Sequence, residues 1–181
     1  MAFFGKLFKK DSSAKTHKGF NSLTIQKIEK LTPDCVKVTL EVPANLKDTF
    51  AFVAGQYINF IIEKEGKEER RSYSICSGPN EPLAVAVKAV SDGNISVWFN
   101  SVAQEGMEVQ VSKPEGNFKL KPSDKNIVAF AAGSGITPMM SIAKSLEKSG
   151  GEMTLFYGNR LEKSIIFHSE LKSLSHVKTN Y

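Results

Sequence analysis

Between Ser22 and about Val111, apolar and polar residues alternate in short runs that predict β-strands. The alternation is clear in residues 36–40 (VKVTL) and 58–62 (INFII). Residues 83–90 form a longer apolar run, which predicts a strand buried on both faces. Gly, Pro and Asn turn signals separate the runs, at residues 32–34, 54–55, 66 and 77–80. Several short strands at this spacing predict an antiparallel barrel or sandwich. One short helix is expected at about residues 95–103.

The pattern changes after Pro122. Residues 127–132 are an unbroken apolar run, which predicts a strand buried in a parallel sheet. A Gly-Ser-Gly turn follows at 133–135, and Pro138 occupies the first turn of a predicted helix. The expected apolar stripe of that helix is Met139, Ile142, Ala143 and Leu146, and Gly150-Gly151 end it. With a second strand at 153–157, residues 127–157 read as one strand–turn–helix–strand unit.

Further along, a second helix is expected at 162–173, and the last residues start a third strand. We place the domain boundary near residue 123. The predicted organisation is a basic tail (1–19), a β domain (20–122) and a partial α/β domain (123–181).

The excess of positive charge is concentrated in the tail. The formal net charge is +5, and residues 1–19 hold five lysines against one aspartate. The rest of the chain is nearly neutral, so we expect no nucleic-acid binding by the folded body. The two cysteines, Cys35 and Cys76, have no metal-ligand spacing, so we expect neither a metal site nor an iron–sulfur cluster in this chain, and a cytoplasmic location.

Residues 1–10 (MAFFGKLFKK) would form an amphipathic helix, with phenylalanines and a leucine on one face and lysines mostly on the other. One interpretation is a frayed tail or a short helix docked on the body. The alternative is weak contact with a membrane surface.

Arg71 and Tyr73 share one face of a predicted strand, with Ser72 and Ser74 on the other. A guanidinium can bind a phosphate through two hydrogen bonds, and a phenol ring can lie against a planar ring. The pair therefore suits a ligand with both groups, although such residues also occur as ordinary exposed polar side chains.

Three further segments could contact a dinucleotide. Gly93 precedes the short helix, whose free N–H groups would attract an anion, unless Asp92 or Asn94 simply caps it. The 133–135 turn lets a ligand approach the backbone, although Pro138 replaces the third glycine of the full dinucleotide fingerprint. Arg160 follows the second strand and could reach an adenosine ribose or phosphate, or form a surface ion pair.

Read in order, these motifs resemble the ferredoxin–NADP reductase superfamily from about residue 20 to the end. Residues 71–74 resemble its R-x-Y-S flavin motif, and residues 87–89 and 93–96 resemble its second and third FAD segments. Residues 116–118 resemble the turn that closes the barrel, and 133–138 (GSGITP) its pyridine-nucleotide motif. The closest resemblance is to oxygenase reductases, the group that includes the reductase subunit of the phenylacetyl-CoA epoxidase system.

The resemblance implies a six-stranded antiparallel FAD-binding β barrel followed by a partial α/β parallel-sheet nucleotide-binding domain. Arg71 would hold the FAD pyrophosphate, Tyr73 would lie against the isoalloxazine, and Ser74 would hydrogen-bond near its N5 edge. Thr137 would sit where nicotinamide meets flavin, which makes Tyr73, Ser74 and Thr137 the expected catalytic residues. The other expected cofactor contacts lie in the same motifs: Ser72, Val87, Lys88, Ala89, Gly93, Asn94, Ile95, Ser96, Gly133, Ser134, Gly135, Gly158, Asn159 and Arg160.

The implied function is electron transfer from NAD(P)H through FAD to an iron–sulfur or oxygenase acceptor. The chain lacks the family's later C-G-type motif, so we expect a fragment of a longer reductase. A non-catalytic FAD-binding module and a peripheral membrane adaptor are the alternatives. Arg160 and Lys163 could meet a 2′-phosphate or be plain surface charges, so NADH and NADPH are not distinguished.

Overall fold

The computed structural model describes residues 17–64 and 67–181. Its first part is an antiparallel sheet in the order β4-β3-β6-β1-β2-β5. An isolated bridge between Ile75 and Val85 joins the two edges, which closes the sheet into the expected six-stranded barrel. The strands are β1 Phe20–Thr32, β2 Cys35–Glu41, β3 Tyr57–Lys64, β4 Lys67–Ser74, β5 Ala84–Lys88 and β6 Glu108–Ser112.

The alternating residues of the predicted strands fill the barrel. Val36, Val38 and Leu40 on β2 are all buried, and so are the alternating apolar residues of β3. Helix α1 (Asn94–Ser101) closes one end of this core, where the Phe99 ring meets Phe60 edge-on with centroids 5.1 Å apart. The period-two pattern therefore specified the inside of the barrel correctly.

The predicted burial of both faces holds for residues 83–87 of the 83–90 run, whereas the run ends in an exposed residue, Val90, beyond β5. Val85 and Val87 of β5 point into the barrel core, whereas Ala84 and Ala86 belong to a second core outside the barrel. This second core is where the α/β part of the chain packs.

The α/β part is a three-stranded parallel sheet in the order β7-β8-β9. The expected third strand is therefore present. Gly150, in the left-handed conformation at φ 65°, ends the long helix as predicted. The elements are β7 Asn126–Ala132, a 3-10 turn at Gly133–Gly135, α2 Ile136–Ser149, β8 Glu152–Gly158, a 3-10 turn at Glu162–Ser164, α3 His168–Ser173 and β9 Val177–Asn180.

The prediction that the 127–132 strand is buried on both faces is wrong. Val128 is 65% exposed and Phe130 is 74% exposed, and only Ala129 is buried. The reason is that α2 covers only one face of the sheet, so that Phe156 of the central strand β8 is exposed on the other face as well. No element of the described residues covers the other face, where Phe130 stacks on Phe156 with centroids 5.1 Å apart.

Two helix predictions also need correction. Helix α2 begins two residues before Pro138, and its buried side is centred on Ile136, Met140 and Ala143, so Met139 is only partly buried. The single helix expected at 162–173 is instead a 3-10 turn and the short α3. Between them the apolar residues 165–167 enter the core, and Phe167 adopts φ 62°, which interrupts the helix.

Helix α2 attaches the α/β part to the outside of the barrel. Ile136, Met140 and Ala143 share one buried cluster with Cys76 and Ala86 of the barrel. At the same junction the buried Ser141 hydroxyl donates a 2.7 Å hydrogen bond to the Ser77 carbonyl. These contacts determine where the start of α2 lies relative to the barrel.

Within the described residues, no helix combines the length and apolar character that crossing a membrane requires. The segment for which membrane-surface contact was considered, residues 1–10, lies outside them, as does most of the predicted tail.

We expect Glu81→Gln to lower the free energy of unfolding at neutral pH by about 0.5 kcal/mol, because Glu81 forms a 2.9 Å ion pair with Lys144 of α2. The value is small because the Glu81 side chain is 44% exposed. Burial alone would raise the pKa of Glu81, but the Gly78 N–H and Lys144 outweigh it and hold the pKa below its usual 4.5. A carboxyl group whose pKa is lowered on folding stabilises the folded state at pH values above the pKa that the group has in the unfolded chain.

The difference between Glu81→Gln and the unaltered chain should therefore shrink as the pH falls below about 4.5. Urea unfolding across that range measures it. Glu147→Gln, an exposed position on the same helix, serves as the control. A difference that grew in acid would contradict the assigned ion pair.

Candidate functional site

Four of the predicted segments meet at one cleft of about 500 Å³. The cleft lies between the end of β4, the end of β5, the start of α1 and the glycine turn before α2. Most of the residues expected at a cofactor site line it: Arg71, Ser72, Tyr73, Ser74, Lys88, Gly93, Asn94, Ile95, Ser96, Ser134, Gly135 and Thr137. Segments far apart in the sequence, from the barrel and from the α/β part, thus form one surface.

Six expected residues do not line this cleft. The Val87 side chain is buried in the barrel core, and the Ala89 N–H donates to the Asp34 carbonyl at 2.7 Å. Gly133 is the first residue of the glycine turn, and only the next two, Ser134 and Gly135, line the cleft. The remaining three lie at the end of β8: Gly158 is its last residue and pairs with Ala132, and Asn159 and Arg160 follow it. They therefore lie at the same carboxyl edge of the sheet as the glycine turn.

Strand β4 presents Arg71 and Tyr73 on one face, as their spacing predicts. Arg71 is opposite Phe60 in the strand register and Tyr73 is opposite Ile58, both of which are core residues. On the other face the Ser72 hydroxyl donates a 2.5 Å hydrogen bond to Asn59. The side chains of Arg71 and Tyr73 therefore lie on the same side of the sheet as the barrel core.

The Tyr73 ring is held by two aromatic neighbours. It meets Phe60 and Phe99 edge-on, with centroids 5.8 Å and 5.9 Å away. Burial raises the pKa of the phenol to about 12, although the positive charge of Arg71 acts in the opposite direction. Tyr73 is therefore a neutral hydrogen-bond donor at physiological pH, on a ring that is fixed in place.

The start of α1 is not capped by any side chain. The alternative that Asp92 or Asn94 caps it is wrong: Gly93 is the N-cap residue, and Asn94 donates to Glu69 instead. The first N–H groups of the helix consequently have no acceptor among the described residues. Free N–H groups and the positive end of the helix dipole make a favourable position for an anion.

Gly93 and Ser96 shape this helix start. The Ser96 hydroxyl accepts a 3.2 Å hydrogen bond from the Val90 N–H, which holds the loop before the helix. A Cβ on Gly93 would lie 2.5 Å from the Ser96 hydroxyl and 3.0 Å from the Val90 carbonyl oxygen. A side chain at position 93 would therefore displace the Ser96 hydroxyl, which accepts from the Val90 N–H, and would press on the Val90 carbonyl.

The glycine turn leaves room for a ligand. A Cβ on Gly133 or Gly135 would have no heavy atom within 4 Å, so the backbone is open to an approaching group there. Gly133 has φ 50°, which favours glycine. The Thr137 hydroxyl donates a 3.0 Å hydrogen bond to the Ser134 carbonyl, which ties the first turn of α2 to the loop.

Tyr157 of β8 holds the glycine turn through its hydroxyl group. Its buried hydroxyl donates to the Gly133 carbonyl at 2.9 Å and accepts from the Ile166 N–H at 3.3 Å. Burial raises the pKa of this phenol to about 12, which keeps the donated hydrogen in place at neutral pH. The turn is therefore anchored both to α2 and to the segment that follows β8.

These residues fit a flavin dinucleotide. A ligand of that kind needs partners for two phosphates and a flat surface for a three-ring system. The guanidinium of Arg71 and the uncapped α1 supply the first, and the fixed, neutral ring of Tyr73 supplies the second. A larger depression of about 670 Å³, lined by residues 26, 40–42, 47, 50–52 and 79–83, contains none of the motif residues.

Comparison with known proteins decides the family. Residues 22–120 match the family model described as oxidoreductase FAD-binding domain, and residues 130–181 match the oxidoreductase NAD-binding domain. The chain belongs to the oxidoreductase FAD-binding domain family. The predicted resemblance to flavin-dependent reductases is thereby confirmed.

Curated relatives of the chain support the family assignment. The chain is 39% identical to a component of the 1,2-phenylacetyl-CoA epoxidase of Escherichia coli, over 86% of its own length and 45% of that protein. It is 38% identical to the ferredoxin reductase component of 3-ketosteroid-9-alpha-monooxygenase of Rhodococcus rhodochrous, over 84% of this chain and 45% of the relative. The chain thus spans less than half the length of these curated relatives.

Among solved structures, phthalate dioxygenase reductase superimposes with a TM-score of 0.77 at 32% identity. The superposition covers 91% of this chain and 52% of that one. The barrel and the parallel sheet are therefore arranged as in an oxidoreductase of this kind.

The sequence reasoning missed several residues of the site. Ala86, Val90 and Pro138 also line the cleft, and Ala86 could have been found, because it shares a strand face with Lys88. Asn100 was not predictable from a motif. Its side chain donates to the Val87 and Ser96 carbonyls at 3.0 Å and 2.9 Å, which joins α1 to β5.

Neither cysteine belongs to the chemistry of the cleft. Cys35 and Cys76 are both buried and free, and burial raises the pKa of each thiol to about 12. At neutral pH both are therefore protonated, apolar core residues rather than nucleophiles or metal ligands.

We expect Tyr157→Phe to destabilise the chain by about 1–2 kcal/mol, because the buried Ile166 N–H would lose its partner and the Gly133 carbonyl one of its donors. Urea unfolding measures the change. Tyr181→Phe removes a hydroxyl from a 57% exposed side chain and should leave the free energy of unfolding unchanged. Equal effects of the two substitutions would contradict the anchoring role of Tyr157.

Proposed function

We propose that this chain is the flavin-containing part of a reductase that passes electrons from NADH or NADPH to an iron–sulfur or oxygenase acceptor. The observation that supports this most strongly is the meeting of Arg71, Tyr73, the uncapped start of α1 and the glycine turn in one cleft. Bound FAD would supply the chemistry, accepting a hydride at N5 of its ring and releasing electrons onward. The protein would supply binding and orientation.

On the barrel side, the proposed task of Arg71 is to bind the FAD pyrophosphate together with the N–H groups of residues 94–96. Tyr73 would pack against the isoalloxazine, and Ser74 would hydrogen-bond near its N5 edge. Lys88 and the end of β5 would line the same ring system. Because Phe60 and Phe99 already fix the Tyr73 ring, this surface needs little rearrangement on binding.

On the α/β side, the proposed site of the nicotinamide dinucleotide is the open glycine turn, with Thr137 at the junction of the two ligands. Gly158, Asn159 and Arg160 would bind the adenosine part from the next strand of the sheet. The position of Thr137 in the same cleft as Tyr73 supports this assignment, since hydride transfer requires the two rings to meet.

The acceptor is proposed from the relatives. One is the ferredoxin reductase component of a monooxygenase, and phthalate dioxygenase reductase transfers electrons from pyridine nucleotides to a [2Fe-2S] centre. A similar acceptor is proposed here, and a cytoplasmic location with it, in keeping with two free thiols.

A second candidate is an FAD-binding module without reductase activity. One observation favours it: within the described residues, the outer face of β7 is uncovered, with Val128 and Phe130 exposed. In that case FAD would bind but nicotinamide would not reduce it.

Anaerobic mixing of the FAD-loaded chain with NADH or NADPH separates the two candidates. Rapid loss of the visible flavin absorbance after mixing supports the reductase. A protein that stays yellow with both nucleotides, but is bleached by dithionite, supports the binding module.

We expect Arg71→Ala to weaken FAD binding by about 2 kcal/mol, or about 30-fold in Kd. The reason is that the phosphate would lose the charged hydrogen bonds that the guanidinium donates. Titration monitored by flavin fluorescence measures the change. Arg70→Ala is a matched control, since that side chain lies on the other strand face, with its guanidinium 5.2 Å from the centre of the Phe20 ring. Unchanged FAD affinity in Arg71→Ala would refute the role.

A further inference from the structure

Glu69 places a carboxylate among the groups that would bind phosphate. It lies two residues before Arg71 on β4 and therefore shares its strand face. One carboxylate oxygen is 3.4 Å from the Arg71 guanidinium, and the other accepts a hydrogen bond from the Asn94 side chain at the start of α1. Glu69 thus connects the two elements that form the anion site.

The Glu69 carboxylate is largely shielded from solvent. The side chain is 24% exposed, and the oxygen that faces Arg71 is buried and has no hydrogen-bond partner among the described residues. The first turn of α1 contains no acidic residue of its own. The negative charge that interacts favourably with the N-terminus of α1 therefore comes from Glu69 on the neighbouring strand β4.

An internal carboxylate at this place has a direct consequence for ligand binding. Arg71 and the start of α1 attract one negative group strongly, but a second nearby negative charge is repelled. A phosphate that binds the 58% exposed Arg71 side chain must share the guanidinium with Glu69, and must also approach the Glu69 charge.

We propose that Glu69 is a built-in competitor of the flavin pyrophosphate, a residue that holds Arg71 and Asn94 in position when no phosphate is bound and lowers the affinity for FAD. The proposal rests on the proposed function, because it assumes that this cleft binds FAD. It assigns to Glu69 a positioning role that none of the motifs contains. FAD is accordingly held less tightly than the same cleft would hold it without the carboxylate.

The test is the affinity of Glu69→Gln for two flavins. Glutamine keeps the shape and can still accept from Asn94, but carries no charge. We expect the Kd for FAD to fall about three- to tenfold, and the Kd for riboflavin, which has no phosphate, to stay unchanged. Glu68→Gln removes the same charge from the other strand face, where Glu68 pairs with His17 at 2.9 Å, and should leave both values unchanged.

A double substitution separates competition for Arg71 from general repulsion. If Glu69 acts by occupying the guanidinium, the gain from Glu69→Gln should be smaller in an Arg71→Ala background. An equal gain in both backgrounds would overturn the proposal, as would unchanged or weaker FAD binding by Glu69→Gln. If the unaltered chain binds FAD but the Glu69→Gln results contradict the competitor role, the proposed function stands and only the role of Glu69 falls. If the unaltered chain binds no FAD, the proposed function and the role of Glu69 both fall.

Discussion

The packing of α2 against the outside of the barrel is the interaction on which the rest of the structure depends. It brings Ile136, Met140 and Ala143 onto small barrel residues such as Cys76 and Ala86, so the helix axis can approach the sheet closely. The hydrogen bond from Ser141 to the Ser77 carbonyl fixes the helix along its length. Because the glycine turn leads directly into α2, this contact also determines where the turn lies relative to β4 and α1.

The cleft that results combines rigid surfaces with unsatisfied polar groups. Aromatic contacts fix Tyr73, and Tyr157 and Thr137 fix the glycine turn. The N–H groups at the start of α1, in contrast, have no side-chain partner. A site of this kind is preorganised for an anionic dinucleotide, since little conformational entropy is lost when the ligand arrives. Glu69 is the exception, because it supplies a negative charge where the ligand's own charge would go.

Local patterns predicted the barrel well because they report directly on burial. Alternating residues in β2 and β3 face a core on one side, and β5 is buried on both sides, so period and composition suffice. Most of the motif residues also met at one cleft, since strand ends and helix starts determine their directions. The ordered motifs, rather than any single one, were what identified the family.

The features that could not be predicted depend on what lies next to each element in space. The run 127–132 is as apolar as a fully buried strand, yet one face of the β7-β8-β9 sheet is uncovered among the described residues, which leaves Phe130 exposed. The break at Phe167 arises because residues 165–167 turn into the core beneath β8. Glu69 looks like one of several charged residues before Arg71, and only the closeness of α1 gives it a partner there.

The most direct test of the central claim is a crystal structure of this chain grown with FAD. We predict density for the isoalloxazine against Tyr73 and for the pyrophosphate between Arg71 and the start of α1, inside the cleft formed by β4, α1 and the glycine turn. Flavin density elsewhere, such as in the depression beside Phe50, or a cleft that remains filled only by solvent at saturating FAD, would contradict the account.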